Sequence, residues 1–285
     1  MAQKLLPKHD IFRRTTLMLS VIRSGMSAAM SDIGVTSNNI ANARTTGFKK
    51  RETSFADVYV SSVSVGVGNR IGSGVITPEI RVTSSQGNLK QTGDVLDLAI
   101  EGQGMFTLLD TNAGLDNKLY TRDGSFSVDQ DGDIATPEGY KLMSSTGTMI
   151  RIPPRAAGVI TADGYKSLDD IALTGVVIRS DGTVEASYGP DQVFAVGKVG
   201  LSTFADANLL TPVGQNLFRE NPRSGQGQLG APVADGRGKI HSGALEMSNT
   251  DMTDEMAKLI KAQQAFSGSS RLMQSEGEMI RRLLG

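Results

Sequence analysis

Residues 245–284 read LEMSNTDMTDEMAKLIKAQQAFSGSSRLMQSEGEMIRRLL, with Leu245, Met252, Leu259, Phe266, Met273 and Ile280 at every seventh position. Seven-residue spacing holds side chains on one narrow stripe of an α-helix. The positions expected to complete a seam, Asn249, Met256, Gln263, Ser270, Gly277 and Leu284, are mostly polar or small. So thin a stripe does not fill a globular core, but it suits contact with another helix. A second helix with seam spacing opens the chain at Ile22, Met26, Ala29, Ile33, Thr36 and Ile40. The period alone does not separate pairing of these two helices with each other from pairing with helices of other copies.

Between the helices the chain changes character. Glycine, at 33 of 285 residues, and an aromatic content of 5% favour many tight turns around modest cores. From about Ile76 the hydrophobic period becomes two, which predicts strands at 76–82, 96–100, 105–109, 118–122, 126–128, 140–143, 149–152, 175–179, 183–187 and 193–204. Asp-Gly pairs at Asp123-Gly124, Asp131-Gly132, Asp163-Gly164 and Asp181-Gly182 supply the positive φ of hairpin turns. The fold class is therefore α+β: N- and C-terminal helices forming a coiled-coil layer, with a mainly antiparallel β middle domain. Residues 1–16 form a flexible basic tail, 17–60 and 243–285 the terminal helical domain, and 61–242 the β-rich domain. Within the last, 61–75 is a loose extended segment and 221–242 a Gly/Pro-rich linker.

Local signals mark the helix ends. Thr15 or Thr16 caps the first helix, which runs to about Ala43 and stops at Thr45-Thr46-Gly47. Ser248 or Asn249 caps the second. Asp251, Asp254 and Glu255 lie near its start and Arg271, Arg281 and Arg282 toward its end, an order that suits the helix dipole. Arg13-Arg14 ahead of a short apolar run resembles a twin-arginine or secretory leader. Arg23 interrupts the run and the helical period continues past it, so no cleaved leader is expected.

Little in the chain suggests catalysis. A net charge of -1 calls for neither nucleic acid nor an anionic membrane, and no apolar run is long enough to insert in one. Without cysteine there is no disulfide, thiol catalysis or Cys-ligated zinc. His9 and His241 are the two histidines, read as surface residues without a local partner, and there is no phosphate-binding loop or nucleophile elbow. Asp129, Asp131 and Asp133 occupy calcium-loop positions 1, 3 and 5, but Ile134 and Tyr140 stand where such a loop needs Gly and Glu. A hairpin turn explains that segment better. Asp169-Asp170 reads as a solvated pair, and Tyr120 and Phe126 as core. No enzyme, metal or cofactor is expected.

Ser37-Asn38-Asn39-Ile40-Ala41-Asn42-Ala43-Arg44-Thr45-Thr46-Gly47-Phe48-Lys49 resembles the motif closing the first helix of bacterial flagellar rod and hook proteins. Four further blocks keep that family's order: Gln86–Gly93 with Leu96–Phe106, Tyr120–Phe126, Gly214–Phe218 and Gly243–Asn249. The resemblance implies an inner layer of terminal helices around a channel, an outer β layer, and helical stacking into a drive shaft or joint. It gives Ile22, Met26, Ile33, Ile40, Leu245, Met252, Leu259, Phe266, Met273 and Ile280 to the assembly interface. Asn38, Asn39 and Asn42 would satisfy backbone at the helix end, Gly47 would make the turn, and Phe48 belongs to the same motif. Implied partners are copies of itself, neighbouring rod or hook subunits, the flagellar type III export apparatus and the basal-body rings. The short middle is rod-like, whereas Ser54-Phe55-Ala56-Asp57-Val58-Tyr59 is hook-like, so a hook protein with a reduced outer domain is the alternative. A self-contained exported β-domain protein binding calcium or carbohydrate is the alternative of another class.

Overall fold

The computed structural model describes residues 8–58, 74–110, 117–155, 160, 161, 164, 165, 171–189 and 192–284. Most of the expected extended segment 61–75 and the Asp169-Asp170 pair lie outside the described residues. The chain divides into two compact units. A helical unit takes the chain up to Ala41, Arg51–Arg81 and the chain from Asp251; a β unit takes Asn42–Lys50 and Val82–Thr250.

In the helical unit, α1 (Lys8–Ala41) and α2 (Met252–Leu284) pack along one another. A Cβ on Gly25 would lie 3.9 Å from Ser269 Oγ, while Asn39 Nδ2 is 2.9 Å from Glu255 Oε2. Advancing two heptads along α1 thus retreats two heptads along α2, and the pair is antiparallel. Helix α1 begins at Lys8, ahead of the expected Thr15 or Thr16 cap, so part of the segment read as a tail is helical. Strands β1 (Arg51–Asp57) and β2 (Val75–Val82) pair, and β1 lies along α1.

Helix α2 is capped by Asp251, not by Ser248 or Asn249. Its Oδ1 accepts from Thr253 N at 2.8 Å and Asp254 N at 3.3 Å. Leu245 accordingly falls outside the helix. It sits on the strand Ala244–Glu246, which pairs with β3 (Leu89–Gln91) in the register Leu245↔Lys90. Asp254 and Glu255 occupy the first turn and Arg281 and Arg282 the last, as the dipole favours.

The β unit is built around β5 (Met105–Leu109), which follows β4 (Leu98–Glu101) and is buried along its whole length. It pairs antiparallel with β6 (Lys118–Thr121), Lys141–Leu142 and Leu201–Thr203. Side chains alternate across a strand. Phe106 and Leu108 therefore join Leu98, Ile100, Leu142, Ile150 and Leu201 on one side, and Met105 joins Tyr120, Leu210 and Phe218 on the other. Edge-to-face rings close each side, Phe106 with Phe126 at 5.2 Å and Tyr120 with Phe204 at 4.7 Å. A three-stranded antiparallel meander, Leu173–Ile178, Thr183–Tyr188 and Gln192–Lys198, adds Ile178, Val184, Ala186 and Tyr188 to the first core.

Three sequence expectations change here, the first being the single strand 193–204, which breaks into Gln192–Lys198 and Leu201–Thr203 in different sheets. The segment 149–152 makes isolated bridges instead of a strand, although Ile150 and Ile152 are buried. The segment 221–242 is more than a linker. Gln228–Gly230 pairs with Leu201–Thr203, and Lys239–Ser242 pairs with β4 in the register Ile240↔Ile100. Short strands rich in Gly and polar residues gain their pairing from distant partners, which local composition does not reveal.

The Asp129–Asp133 segment is a hairpin turn between the paired Ser127–Val128 and Ile134–Ala135, with Gly132 at φ 82°. The buried Asp133 carboxylate is held by Lys141 and by Arg151 Nε at 2.9 Å, leaving it committed to cations of the protein itself. Burial alone would raise its pKa. The hydrogen bonds from Arg151 and Lys141 outweigh that and hold it below the ordinary Asp range. The native state then binds this proton less tightly than the unfolded state does. The contribution is full at neutral pH and is lost as pH falls below about 4, the ordinary Asp value. Asp133→Asn should lower the melting temperature at pH 7 and flatten its fall between about pH 4 and pH 2, measured by circular dichroism across that range.

Candidate assembly surfaces and a buried ion cluster

The expected seam residues meet within one chain. Ile22, Met26, Ile33 and Ile40 on α1 are half-buried, and Ala29 and Thr36 between them are buried. On α2, Leu259, Phe266, Met273 and Ile280 are half-buried, while Met252, its first residue, is exposed. The complementary positions differ from the expected ones. Glu255 and Ala262 are buried and Ser269 and Glu276 half-buried, whereas Met256 and Gln263 are exposed. Ser270 and Gly277, expected in the second row, are half-buried, so that row lies three residues after the first in the first half of α2 and spans both positions further along, and it is made of small and polar side chains.

One polar contact sits in this seam. Asn39 is 1% exposed and Glu255 2% exposed. Asn39 Nδ2 donates to Glu255 Oε2 and, at 2.8 Å, to the Arg51 carbonyl, while its Oδ1 accepts from Arg51 N at 2.9 Å. Lys258 Nζ lies 2.7 Å from Glu255 Oε1, and that hydrogen bond raises the Lys258 pKa. Asn39 thus joins both helices to the start of β1. The other motif residues act differently. Asn38 is exposed, and Asn42 Oδ1 accepts from Thr45 Oγ1 at 3.2 Å. Gly47 takes φ 65°, and a Cβ there would come within 2.4 Å of Asp123 N, so only glycine fits; Phe48 beside it is 6% exposed.

Outside the seam, α2 leaves Met256 and Ile260 exposed at 47% and 54%, in line with Met252 at helical spacing. Leu272 and Met279 are exposed further along it, as are Met18 and Met30 on α1. Large apolar side chains on both helices are thus left exposed within the single chain.

The β unit holds a cluster that sequence reasoning missed. The Glu246 carboxylate is fully buried, with Lys49 Nζ 2.6 Å from Oε1 and Arg122 Nη1 3.0 Å from Oε2. Gly87 N also donates to Oε1, and Gly47 N to the Glu246 carbonyl at 2.7 Å. Lys49 donates further to the Ser85 carbonyl and Arg122 to that of Gly102. Burial pulls the Lys49 ammonium and the Arg122 guanidinium below their usual ranges, and Glu246 opposes both shifts. Nearby, Asn249 Oδ1 accepts from Lys50 N at 2.8 Å and its Nδ2 donates to the Thr83 carbonyl at 2.9 Å. Lys49, Arg122, Glu246 and Asn249 each stand inside a motif block read from sequence, but nothing local marks them as paired.

His241 is likewise partnered, with Nε2 2.6 Å from Glu101 Oε2, while Lys239 lies 2.9 Å from the same oxygen. These hydrogen bonds, Lys239 first, hold Glu101 below the usual carboxylate range. Among the described residues, no three His, Asp or Glu side chains gather as a metal ion would require, and no helix is long and apolar enough to cross a membrane.

Comparison with known proteins places these features in context. Residues 19–49 match a family described as flagella basal body rod protein, residues 99–186 the flagellar hook protein FlgE/F/G D1 domain, and residues 241–285 the flagellar basal body rod FlgEFG protein C-terminal family. The chain is 34% identical to the flagellar basal-body rod protein FlgG of Bacillus subtilis, across 92% of this chain and 95% of that one. It is also 34% identical to FlgG of Agrobacterium fabrum, over the same shares. To the rod protein FlgF of Caulobacter vibrioides it is 30% identical, across 90% of this chain and 93% of that one.

Removing one member of a buried ion cluster strands the others. Glu246→Gln should cost about 3–5 kcal/mol of β-unit stability, read from urea unfolding followed by tyrosine fluorescence. Glu255→Gln, which retains hydrogen-bonding capacity toward Asn39, should cost less than Glu255→Leu in urea unfolding of the helices followed by far-UV circular dichroism.

Proposed function

We propose, for a chain that belongs to the flagellar basal-body rod protein family and is a structural subunit and not an enzyme, that copies stack helically into the rod through their helical units. The observation that carries this reading is the exposed row Met252, Met256 and Ile260 on a helix whose seam is already filled from within the chain. Seam residues then build the subunit, and the outer row joins subunits. Burying such side chains contributes about 1.5–3 kcal/mol each, enough for a few per interface to hold a polymer. Torque passes along the stack from subunit to subunit, and neighbouring flagellar axial proteins continue it above and below.

Export through the flagellar type III apparatus, without a cleaved leader, follows from the same reading. Basal-body rings are the surroundings of such a shaft. A rod position is favoured because FlgG and FlgF relatives match over nine-tenths or more of the chain. A hook subunit with a reduced outer domain is the second reading, supported by the hook-named domain matched at 99–186.

The two rows separate by mutation. Met256→Asp combined with Ile260→Asp should leave helicity and melting unchanged, while raising the critical concentration for polymerisation at least about tenfold by sedimentation. Leu259→Asp should instead lower helicity in the monomer, because it charges the internal seam. Normal polymerisation of the double variant would contradict the assigned surface.

A further inference from the structure

The chain holds twelve methionines but neither cysteine nor tryptophan, so its oxidisable sulfur is thioether alone. The fold grades these side chains by access. Met105 and Met143 are 3% and 4% exposed, the first packed with Tyr120 and Phe218 in the β unit. Met26 and Met273 are half-buried in the helix seam. Met252 and Met256 are 37% and 47% exposed, one turn apart on α2, and with Ile260 they form the outer row.

Access decides the chemistry. A sulfur lone pair attacks one oxygen of hydrogen peroxide. An S–O bond forms as the O–O bond breaks, and the second oxygen leaves as water with both protons. Sulfur gives up two electrons and the peroxide takes them. The product is a polar, chiral sulfoxide in place of a flexible apolar side chain. On a free subunit, water solvates the new oxygen. At a dry contact between copies that water is stripped away, which disfavours the contact unless a donor replaces it.

We propose that Met252 and Met256 are an oxidation-sensitive pair: peroxide converts them to sulfoxides on the free subunit, and the sulfoxides exclude that subunit from the stack. The inference rests on the helical-stacking reading and adds a chemical condition to it. Reduced subunits join, and once joined their outer row is shielded from peroxide.

Partition of the oxidised chain tests this. The full-length chain is treated with limiting hydrogen peroxide, quenched, polymerised and sedimented, and each methionine is read by mass spectrometry in both fractions. Sulfoxide at Met252 and Met256 should be at least about tenfold enriched in the supernatant over the pellet. Sulfoxide at Met149, which is 42% exposed on the β unit, should divide evenly. Treating the finished polymer instead should leave Met252 and Met256 reduced. A second measurement compares critical concentrations before and after treatment. That of the unmodified chain should rise about tenfold, whereas that of Met252→Leu combined with Met256→Leu, whatever its starting value, should not move. Even partition of the Met252 and Met256 sulfoxides, or an equal rise in the Leu variant, overturns this inference alone. Failure of the untreated chain to polymerise, or normal polymerisation of Met256→Asp with Ile260→Asp, overturns the stacking reading and this inference with it.

Discussion

The β unit depends on one buried carboxylate. Glu246 lies where water cannot solvate it, and Lys49 and Arg122 each bring a cation to one of its oxygens. Desolvating three charges is expensive, and their attraction offsets the cost only when the geometry is right; among the described residues the cluster leaves one buried donor, Arg122 Nε, without a hydrogen-bond partner. The geometric requirement reaches far along the chain. Gly47 must turn with positive φ close to Asp123, Gly87 must present its N–H, and Ala244–Glu246 must pair with β3. Segments far apart in sequence meet at these three charges. The ion cluster selects one arrangement; the net energy comes from the apolar cores around β5.

A comparable device operates in the helical unit. The α1–α2 seam is thin, with Ala29, Ala262 and Ser269 allowing close approach and half-buried Leu259 and Phe266 supplying contact. Apolar stripes of this kind can slide by a heptad. The buried Asn39–Glu255 hydrogen bond penalises any such slip, as a buried polar pair does in coiled coils. The helix pair is fixed in register and carries apolar side chains on its outer side. Family membership and local physics thus agree on a structural subunit whose working parts are surfaces.

Much of this was legible in the residues. Heptads at Ile22–Ile40 and Met252–Ile280 announce both helices, and the period-two pattern with Asp-Gly turns announces the β middle. Leu245 misleads because it continues the heptad by one step past the Asp251 cap, and a period cannot see a cap. Seam spacing puts the second row on Met256, Gln263, Ser270 and Gly277, of which Ser270 and Gly277 are half-buried; Glu255 and Ala262 replace the first two because an acid held by Asn39 and a small side chain carry little hydrophobic signal. The strands at 228–230 and 239–242 hide in a Gly/Pro-rich stretch and owe their form to partners at 201–203 and 98–101. The ion cluster was invisible for a similar reason, since Lys49, Arg122 and Glu246 each look like an ordinary surface charge until the fold brings them together.

The most direct test of the whole account is a helical electron cryo-microscopy reconstruction of the polymer formed by the unmodified chain. It should show Met252, Met256 and Ile260 buried against a neighbouring copy, with the Asn39–Glu255 contact kept inside each subunit. A polymer in which those three side chains face water, or in which α1 pairs with α2 of another copy, would contradict it.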